Sequence, residues 1–183
     1  YTRIAPDGST SKALRLSGGK PIALSAKLDN AWSPSLVARG SAVLATWLDF
    51  RGYDWDVLSR ISDDGGKGFA SAVDSNREPA DVEDLSDTPR PLLTKAGPLT
   101  VWTDFHKRDS VEAAHELYDI YVAAPGKAPT QADPYGAKQV NTFWPSACDS
   151  GRDAIVAFQD SSTGVASVKI TRVRTGARRG HAF

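Results

Sequence analysis

The sequence predicts an all-β fold: a β-propeller built of four-stranded antiparallel blades, of which this chain supplies about three. Three observations predict it. An aromatic-x-Asp triplet recurs at nearly constant spacing, as Trp47-Leu48-Asp49, Trp102-Thr103-Asp104 and Phe158-Gln159-Asp160. A proline precedes each aromatic residue by thirteen positions, at Pro34, Pro89 and Pro145. No segment of useful length has the helical period, and a sheet repeated every ~50 residues is typical of propeller blades, whereas a β-sandwich does not explain so regular a repeat.

Each repeat divides into strands in the same order. The first copy, "PSLVARGSAVLATW", reads as a strand, a short hairpin near residues 39–41 and a second strand. The third strands are predicted at 55–62, 118–124 and 166–173, and the fourth strands near 12–17, 70–75 and 136–141. The chain's first residues, "YTRIAPDG", align with the end of a third strand at 58–65. We therefore expect repeats near 34–88, 89–144 and 145–183, with residues 1–33 completing a preceding blade.

The composition excludes several classes of partner. The chain has 183 residues, 40% of them hydrophobic and 24% charged, which fits one folded domain. Lys+Arg and Asp+Glu both number 22, so no net field favours nucleic acid or an anionic membrane. No apolar run in the sequence is long enough to span a bilayer, and we do not expect its first residues to be a secretory signal peptide. The lack of any Met indicates a processed product or a piece of a longer chain.

The single cysteine, Cys148, has no partner for a disulfide within the chain. We expect a small buried thiol there, with a bond to another chain or a reactive nucleophile as the alternatives.

The stretch "SDDGGKGF" predicts a tight reversal after the first repeat's third strand. Gly65 and Gly66 permit positive φ, Asp64 can accept hydrogen bonds from backbone N–H groups inside the turn, and Phe69 can pack beneath it. An ordinary hairpin turn is the simpler interpretation.

Read with gaps, this stretch is Ser62-x-Asp64-x-Gly66-x-x-Phe69, which resembles the Asp-box, or BNR repeat, of sialidase-like β-propellers. The resemblance implies a six-bladed ring, so this chain is expected to be half of a propeller. A second polypeptide, either the other half of a precursor or a second copy, is then expected to complete it. The implied function is that of a secreted or extracytoplasmic hydrolase acting on glycans, without a cofactor. A non-catalytic carbohydrate- or protein-binding propeller is the alternative.

The resemblance also assigns sides to the blade. The Asp-box lies on the face away from the ligand, so the loops between second and third strands lie on the ligand face. There Asp49 and Arg51 match an Asp-x-Arg pair of sialidases, and Asp54 is the nearest candidate for the acid/base aspartate. Asp49 also has a structural interpretation, as a cap of its loop while Trp47 packs between blades, because an aspartate recurs there in every repeat.

The other predicted ligand-binding residues lie near the same face. They are Arg90, Asp104, His106, Arg108 and Trp144. Arg90 is the one arginine near the positions where sialidases carry an Arg-Ile-Pro motif, and that motif and a Tyr-Glu nucleophile pair are both missing here. Trp144 opens a first strand and is expected either to stack on a sugar ring or to pack between blades.

An insertion at residues 105–117, "FHKRDSVEAAHEL", separates the second and third strands of the second repeat. A short helix capped by Ser110 would place Glu112 and His115 on one face. Such a pair can contribute to a metal site, as in a metal-supported hydrolase, but a solvated surface helix is the simpler interpretation. The basic residues between 172 and 181 are expected to form a frayed tail or to flank a processing site.

Overall fold

The computed structural model describes residues 2–14, 16, 30–50, 55–75, 86–106, 117–134 and 141–174, and these ranges contain strands and turns but no helix. The strands are β1 (Asn30–Arg39), β2 (Ala42–Phe50), β3 (Asp56–Ser62), β4 (Val73–Asp74), β5 (Asp87–Thr94), β6 (Gly97–His106), β7 (Leu117–Ala123), β8 (Thr130–Gln131), β9 (Thr142–Ser150), β10 (Asp153–Asp160) and β11 (Ser167–Val173). They form two four-stranded antiparallel sheets, β1–β4 and β5–β8, and a three-stranded sheet, β9–β11. The predicted all-β fold of successive antiparallel sheets is confirmed.

The three sheets are consecutive blades of a β-propeller, blades 1, 2 and 3. The first strands lie side by side, with β1 against β5 and β5 against β9. Apolar side chains fill the spaces between sheets. One core cluster, between blades 1 and 2, contains Leu48, Val57, Trp102 and Ala123. A larger one joins blades 2 and 3 and includes Ile120, Val122, Val156 and Phe158.

The fourth strands differ from the prediction. The described part of 12–17 is not in a strand, and β8 begins at Thr130, before the predicted 136–141, most of which lies outside the described ranges. A turn explains the early start of β8: Gly126 has φ 71° and the N–H of Lys127 donates to the carbonyl of Ala124 over 2.9 Å. The chain therefore reverses directly after β7.

The prediction of a buried Cys148 is wrong, because its side chain is exposed. Successive side chains of a strand point to opposite faces of the sheet. In β9 the neighbouring Ala147 packs against the core between blades 2 and 3, so Cys148 points away from it.

The turn after β3 is held by its own side chains. Asp64 Oδ1 accepts the N–H groups of Lys67 and Gly68, over 2.8 and 3.0 Å, and the hydroxyl of Ser62, over 2.7 Å. Gly65 and Gly66 have φ of 73° and 79°. The N–H of Gly65 donates to the carbonyl of Ser41 over 2.8 Å, which fixes the turn beside the β1–β2 hairpin. We call this side of the blades, with the hairpins after β1, β5 and β9, the hairpin end.

We predict that Asp64→Ala speeds amide exchange at Lys67 and Gly68, while Asp63→Ala, in the same turn, leaves it nearly unchanged. Hydrogen bonds from the Gly68 N–H, then from Ser62, lower the pKa of Asp64 below its ordinary 3.8. Because the pKa of Asp64 is lower in the folded chain than in the unfolded chain, its ionised carboxylate stabilises the turn at pH values above the unfolded-state pKa. This stabilisation is lost as the pH falls through the folded-state pKa. NMR measures the amide exchange rates at Lys67 and Gly68, and a titration of the Asp64 carboxyl measures its pKa. Equal acceleration of exchange in the two variants would contradict the role given to Asp64.

Candidate functional site at the loop end

We call the opposite end of the blades the loop end. In each blade, the first strand begins there and the second strand connects there to the third. Strand register brings Ala31 opposite Asp49, and Asp49 opposite Asp56, in blade 1. In blade 2, Asp87 lies opposite Thr103, and Asp104 opposite Asp119. In blade 3, Thr142 and Ser167 flank Asp160. The recurring aspartates therefore all lie near the loop end, opposite the turn that holds Asp64.

Asp49 and Asp104 hold the tryptophans that precede them by two residues. Trp47 Nε1 donates to Asp49 Oδ2 over 2.9 Å, and Trp102 Nε1 donates to Asp104 Oδ2 over 2.8 Å. Both carboxylates are 0% exposed. Residues i and i+2 of a strand share a face, so the aromatic-x-Asp spacing brings ring and carboxylate together. Both aspartates therefore have a structural role, since each fixes the indole ring of its tryptophan. Their roles in binding a ligand remain predictions.

Blade 3 satisfies the same position differently. The side chain of Phe158 has no N–H group to donate. Asp160 Oδ1 instead accepts the N–H of Ser162 over 2.7 Å, and Asp160 Oδ2 lies 3.8 Å from Lys169 Nζ. Asp160 is as buried as its counterparts, at 1% exposure. A buried carboxylate needs such partners, and each blade supplies its own.

Each first strand carries a strained residue at the loop end, directly before the recurring proline. Ser33, Thr88 and Trp144 have φ of 48°, 49° and 51°. The strand pairing slips at the same three places, which marks a β-bulge in each blade. A β-branched or bulky residue at positive φ is a genuine outlier, and such strain concentrates at functional sites. The repeat thus builds the same irregular backbone three times on one surface.

Aromatic side chains cluster beside these bulges. In blade 1, the Trp55 ring lies 6.1 Å from Trp32 and 5.0 Å from Phe50, measured between ring centroids. Between blades 2 and 3 a row of four rings runs with centroid spacings of 5.4, 4.9 and 6.0 Å, and its members are Phe105, Tyr118, Phe143 and Trp144. Trp32 is 62% exposed and Trp144 is 64% exposed. The loop end therefore presents two tryptophan rings to solvent, each backed by other aromatic rings.

Blade 2 supplies polar groups between these two aromatic clusters. Arg90 and Asp87 are both exposed on β5. Asp87 accepts the N–H of Thr88 over 2.6 Å within the bulge. Sequence analysis missed Asp87, although it lies two residues before a recurring proline, where blades 1 and 3 carry Trp32 and Phe143. That positional equivalence was the available signal.

Several predicted site residues cannot be placed. Asp54, Arg51 and Arg108 lie outside the described residues, as do 107–116 of the insertion, and only the backbone of His106 is described, at the end of β6. Within the ranges that the structure describes, no three His, Cys, Asp or Glu side chains are grouped to hold a metal ion. No membrane-spanning apolar helix occurs in those ranges either.

Comparison with solved structures relates the fold to glycoside hydrolases. The α-L-arabinanase of Penicillium chrysogenum, solved with arabinobiose, aligns with 88% of this chain at a TM-score of 0.50 and 13% identity. The Trypanosoma rangeli sialidase, solved with the inhibitor DANA, aligns with 84% of it at a TM-score of 0.51 and 13% identity. At this identity the likeness is one of fold, and it confirms the sialidase-like propeller architecture.

The chain spans only part of each of these proteins, 48% of the arabinanase and 30% of the sialidase. No family model matches the sequence, and no characterised protein matches it by sequence search.

Proposed function

We propose that this chain is part of a secreted glycoside hydrolase that binds a glycan at the loop end, in a site completed by a second polypeptide. The observation that carries the proposal is the pair of exposed tryptophans, Trp32 and Trp144, at strained bulges on one surface. Ligand sites combine apolar and aromatic surface with a few placed polar groups. Asp87 and Arg90 supply such groups between the two rings. The similarity in fold to an arabinanase and a sialidase supports the choice of glycans.

Glycoside hydrolysis needs two carboxyl groups on either side of the scissile bond. We assign the general acid to Asp54, because Asp49 and Asp104 are buried against their tryptophans. The second carboxylate comes from the completing polypeptide. Arg51 and Arg90 bind polar or anionic groups of the glycan, for which the guanidinium geometry is suited.

A non-catalytic glycan-binding propeller is the second candidate. It is favoured by the structural use of the recurring aspartates, since Asp49 and Asp104 are buried and accept hydrogen bonds from the indoles of Trp47 and Trp102. Turnover separates the two candidates. We expect Asp54→Asn to lower the hydrolysis of an α-L-arabinan or sialoside panel by about 100-fold to 10,000-fold.

The matched control is Asp63→Asn, an exposed aspartate at the hairpin end, which should retain wild-type turnover. Unchanged turnover in Asp54→Asn would remove the acid role. Glycan binding without any turnover would select the non-catalytic candidate.

We further expect Trp144→Ala to weaken glycan binding by about tenfold, the equivalent of 1.4 kcal/mol, because an aromatic face is lost from the site. The folded state should be little affected, since the ring is 64% exposed. Isothermal titration with arabinobiose measures the change. Trp144→Phe, which keeps a ring, should bind nearly as wild type, and equal binding by Trp144→Ala would exclude the ring from the site.

A further inference from the structure

The two exposed tryptophans of the loop end belong to blades that are not neighbours. Trp32 lies near the start of β1 in blade 1, and Trp144 lies near the start of β9 in blade 3, with β5 of blade 2 between these strands. Packed sheets lie about 10 Å apart, so the backbone positions of the two tryptophans are separated by roughly twice that spacing. A single sugar ring is too short to touch both side chains, whereas a chain of several sugars can reach from one to the other.

Each tryptophan is a separate aromatic platform. The Trp32 ring packs on Trp55 of its own blade, with 6.1 Å between the ring centroids. The Trp144 ring lies 6.0 Å from Phe143, also between centroids. Both tryptophans are more than 60% exposed, at 62% and 64%, so each is supported from behind and open in front. The apolar C–H face of a sugar ring can pack on such a surface, because aromatic rings offer a large, rigid apolar area.

Blade 2 carries shorter, polar side chains at the equivalent positions. Two residues before the recurring proline, blades 1 and 3 have Trp32 and Phe143, whereas blade 2 has Asp87. Directly before that proline, blade 3 has Trp144 and blade 2 has Thr88. Blade 2 therefore leaves room between the two aromatic platforms, and a bound chain can cross it there.

The side chains on blade 2 have free hydrogen-bonding groups that suit sugar hydroxyls. Asp87 Oδ1 accepts the N–H of Thr88 over 2.6 Å, and its Oδ2 has no partner within the described ranges. Arg90 is exposed on the same strand, and its guanidinium has no hydrogen bond or ion pair with any residue that the structure describes. One group accepts and the other donates, and a hydroxyl can do both. Because the two charges are opposite, β5 has no excess of positive charge to favour a sugar carboxylate.

We infer that the loop end binds an extended, uncharged oligosaccharide that stacks on both Trp32 and Trp144 and crosses blade 2 at Asp87 and Arg90. The inference rests on the proposed function and specifies its ligand as several linked neutral sugars rather than one terminal sugar. A chain held at one tryptophan reaches the other without a second diffusional encounter, so the two contacts reinforce each other. Affinity therefore rises with the length of the chain.

Isothermal titration with arabinobiose and arabinohexaose tests this dependence on length. Arabinohexaose should bind about tenfold or more tightly than arabinobiose. Trp32→Ala should remove most of this gain and change the affinity for arabinobiose far less, because the short sugar is held at one ring at a time. Trp32→Phe, which keeps a ring, should keep the gain. Leu36→Ala is the matched control, since it removes another exposed apolar side chain of β1, at 56% exposure, and should leave both affinities unchanged.

Two further measurements test the polar part of the site. Asp87→Ala should weaken the binding of arabinohexaose more than that of arabinobiose, and sialyllactose, which carries a carboxylate, should not displace arabinohexaose. Equal affinity for arabinobiose and arabinohexaose, equal loss of both sugars in Trp32→Ala, or displacement by sialyllactose would overturn the inference. Length-dependent binding without turnover would remove only the enzymatic part of the proposed function, whereas turnover that does not depend on chain length would remove only this inference.

Discussion

Replacing Trp102 with alanine should lower the free energy of unfolding by about 3–5 kcal/mol, the range for deleting a large buried aromatic side chain. Trp102 is 0% exposed and packs between blades 1 and 2 against Leu48, Val57 and Ala123. The substitution also removes the indole N–H that donates to buried Asp104 over 2.8 Å. Urea unfolding followed by circular dichroism measures the loss.

Trp144→Ala is the matched control, because it deletes the same side chain at a 64% exposed position and should cost under about 0.5 kcal/mol. Trp102→Phe should fall between the two, since blade 3 already uses Phe158 at the corresponding position. If Trp102→Ala and Trp144→Ala cost the same, the packing of blade 2 on blade 1 is not as described.

Replacing Asp133 with alanine should cost about 2–4 kcal/mol, because buried donors lose a charged acceptor. Asp133 is 6% exposed, and its Oδ2 accepts the N–H of Ile120 over 2.7 Å and the hydroxyl of Thr142 over 3.1 Å. Its Oδ1 accepts the side-chain amide of Gln131 over 2.9 Å. One carboxylate therefore ties β7 and β8 to the first strand of the next blade.

The loss should appear in urea unfolding, and amide exchange at Ile120 should increase with it. Asp133→Asn keeps one acceptor oxygen and should lose less. Asp87→Ala, at an exposed aspartate, should stay within about 0.5 kcal/mol of wild type. Wild-type exchange at Ile120 in Asp133→Ala would contradict the role given to this carboxylate.

The strands were predictable wherever the repeat itself carried the signal. The triplets at Trp47 and Trp102 mark the second strands, and the third strands follow each triplet. β8 was misplaced because its pairing is only two residues long, at Thr130 and Gln131, and the short turn at Gly126 sets its position. A strand of two residues is too short to show an alternating pattern of apolar and polar residues in the sequence.

The site was less predictable than the fold. Recurrence of Asp49 and Asp104 indicated a shared role, but only the structure identifies the indole each of them holds. The positive φ at Thr88 and Trp144 has no local signal, because these residue types disfavour that conformation and the position before proline favours extended backbone. Asp87 was missed although the repeat marks its position two residues before Pro89, because its exposure beside Thr88 depends on the bulge.

The most direct test of a glycan site at the loop end is an NMR titration with arabinobiose, followed at the indole N–H signals of the five tryptophans. We predict that the signals of Trp144 and Trp32 shift with added sugar. Those of buried Trp47 and Trp102, and the amides of Lys67 and Gly68 at the hairpin end, should stay in place. Shifts confined to the hairpin end, with the exposed tryptophans unchanged, would contradict the account.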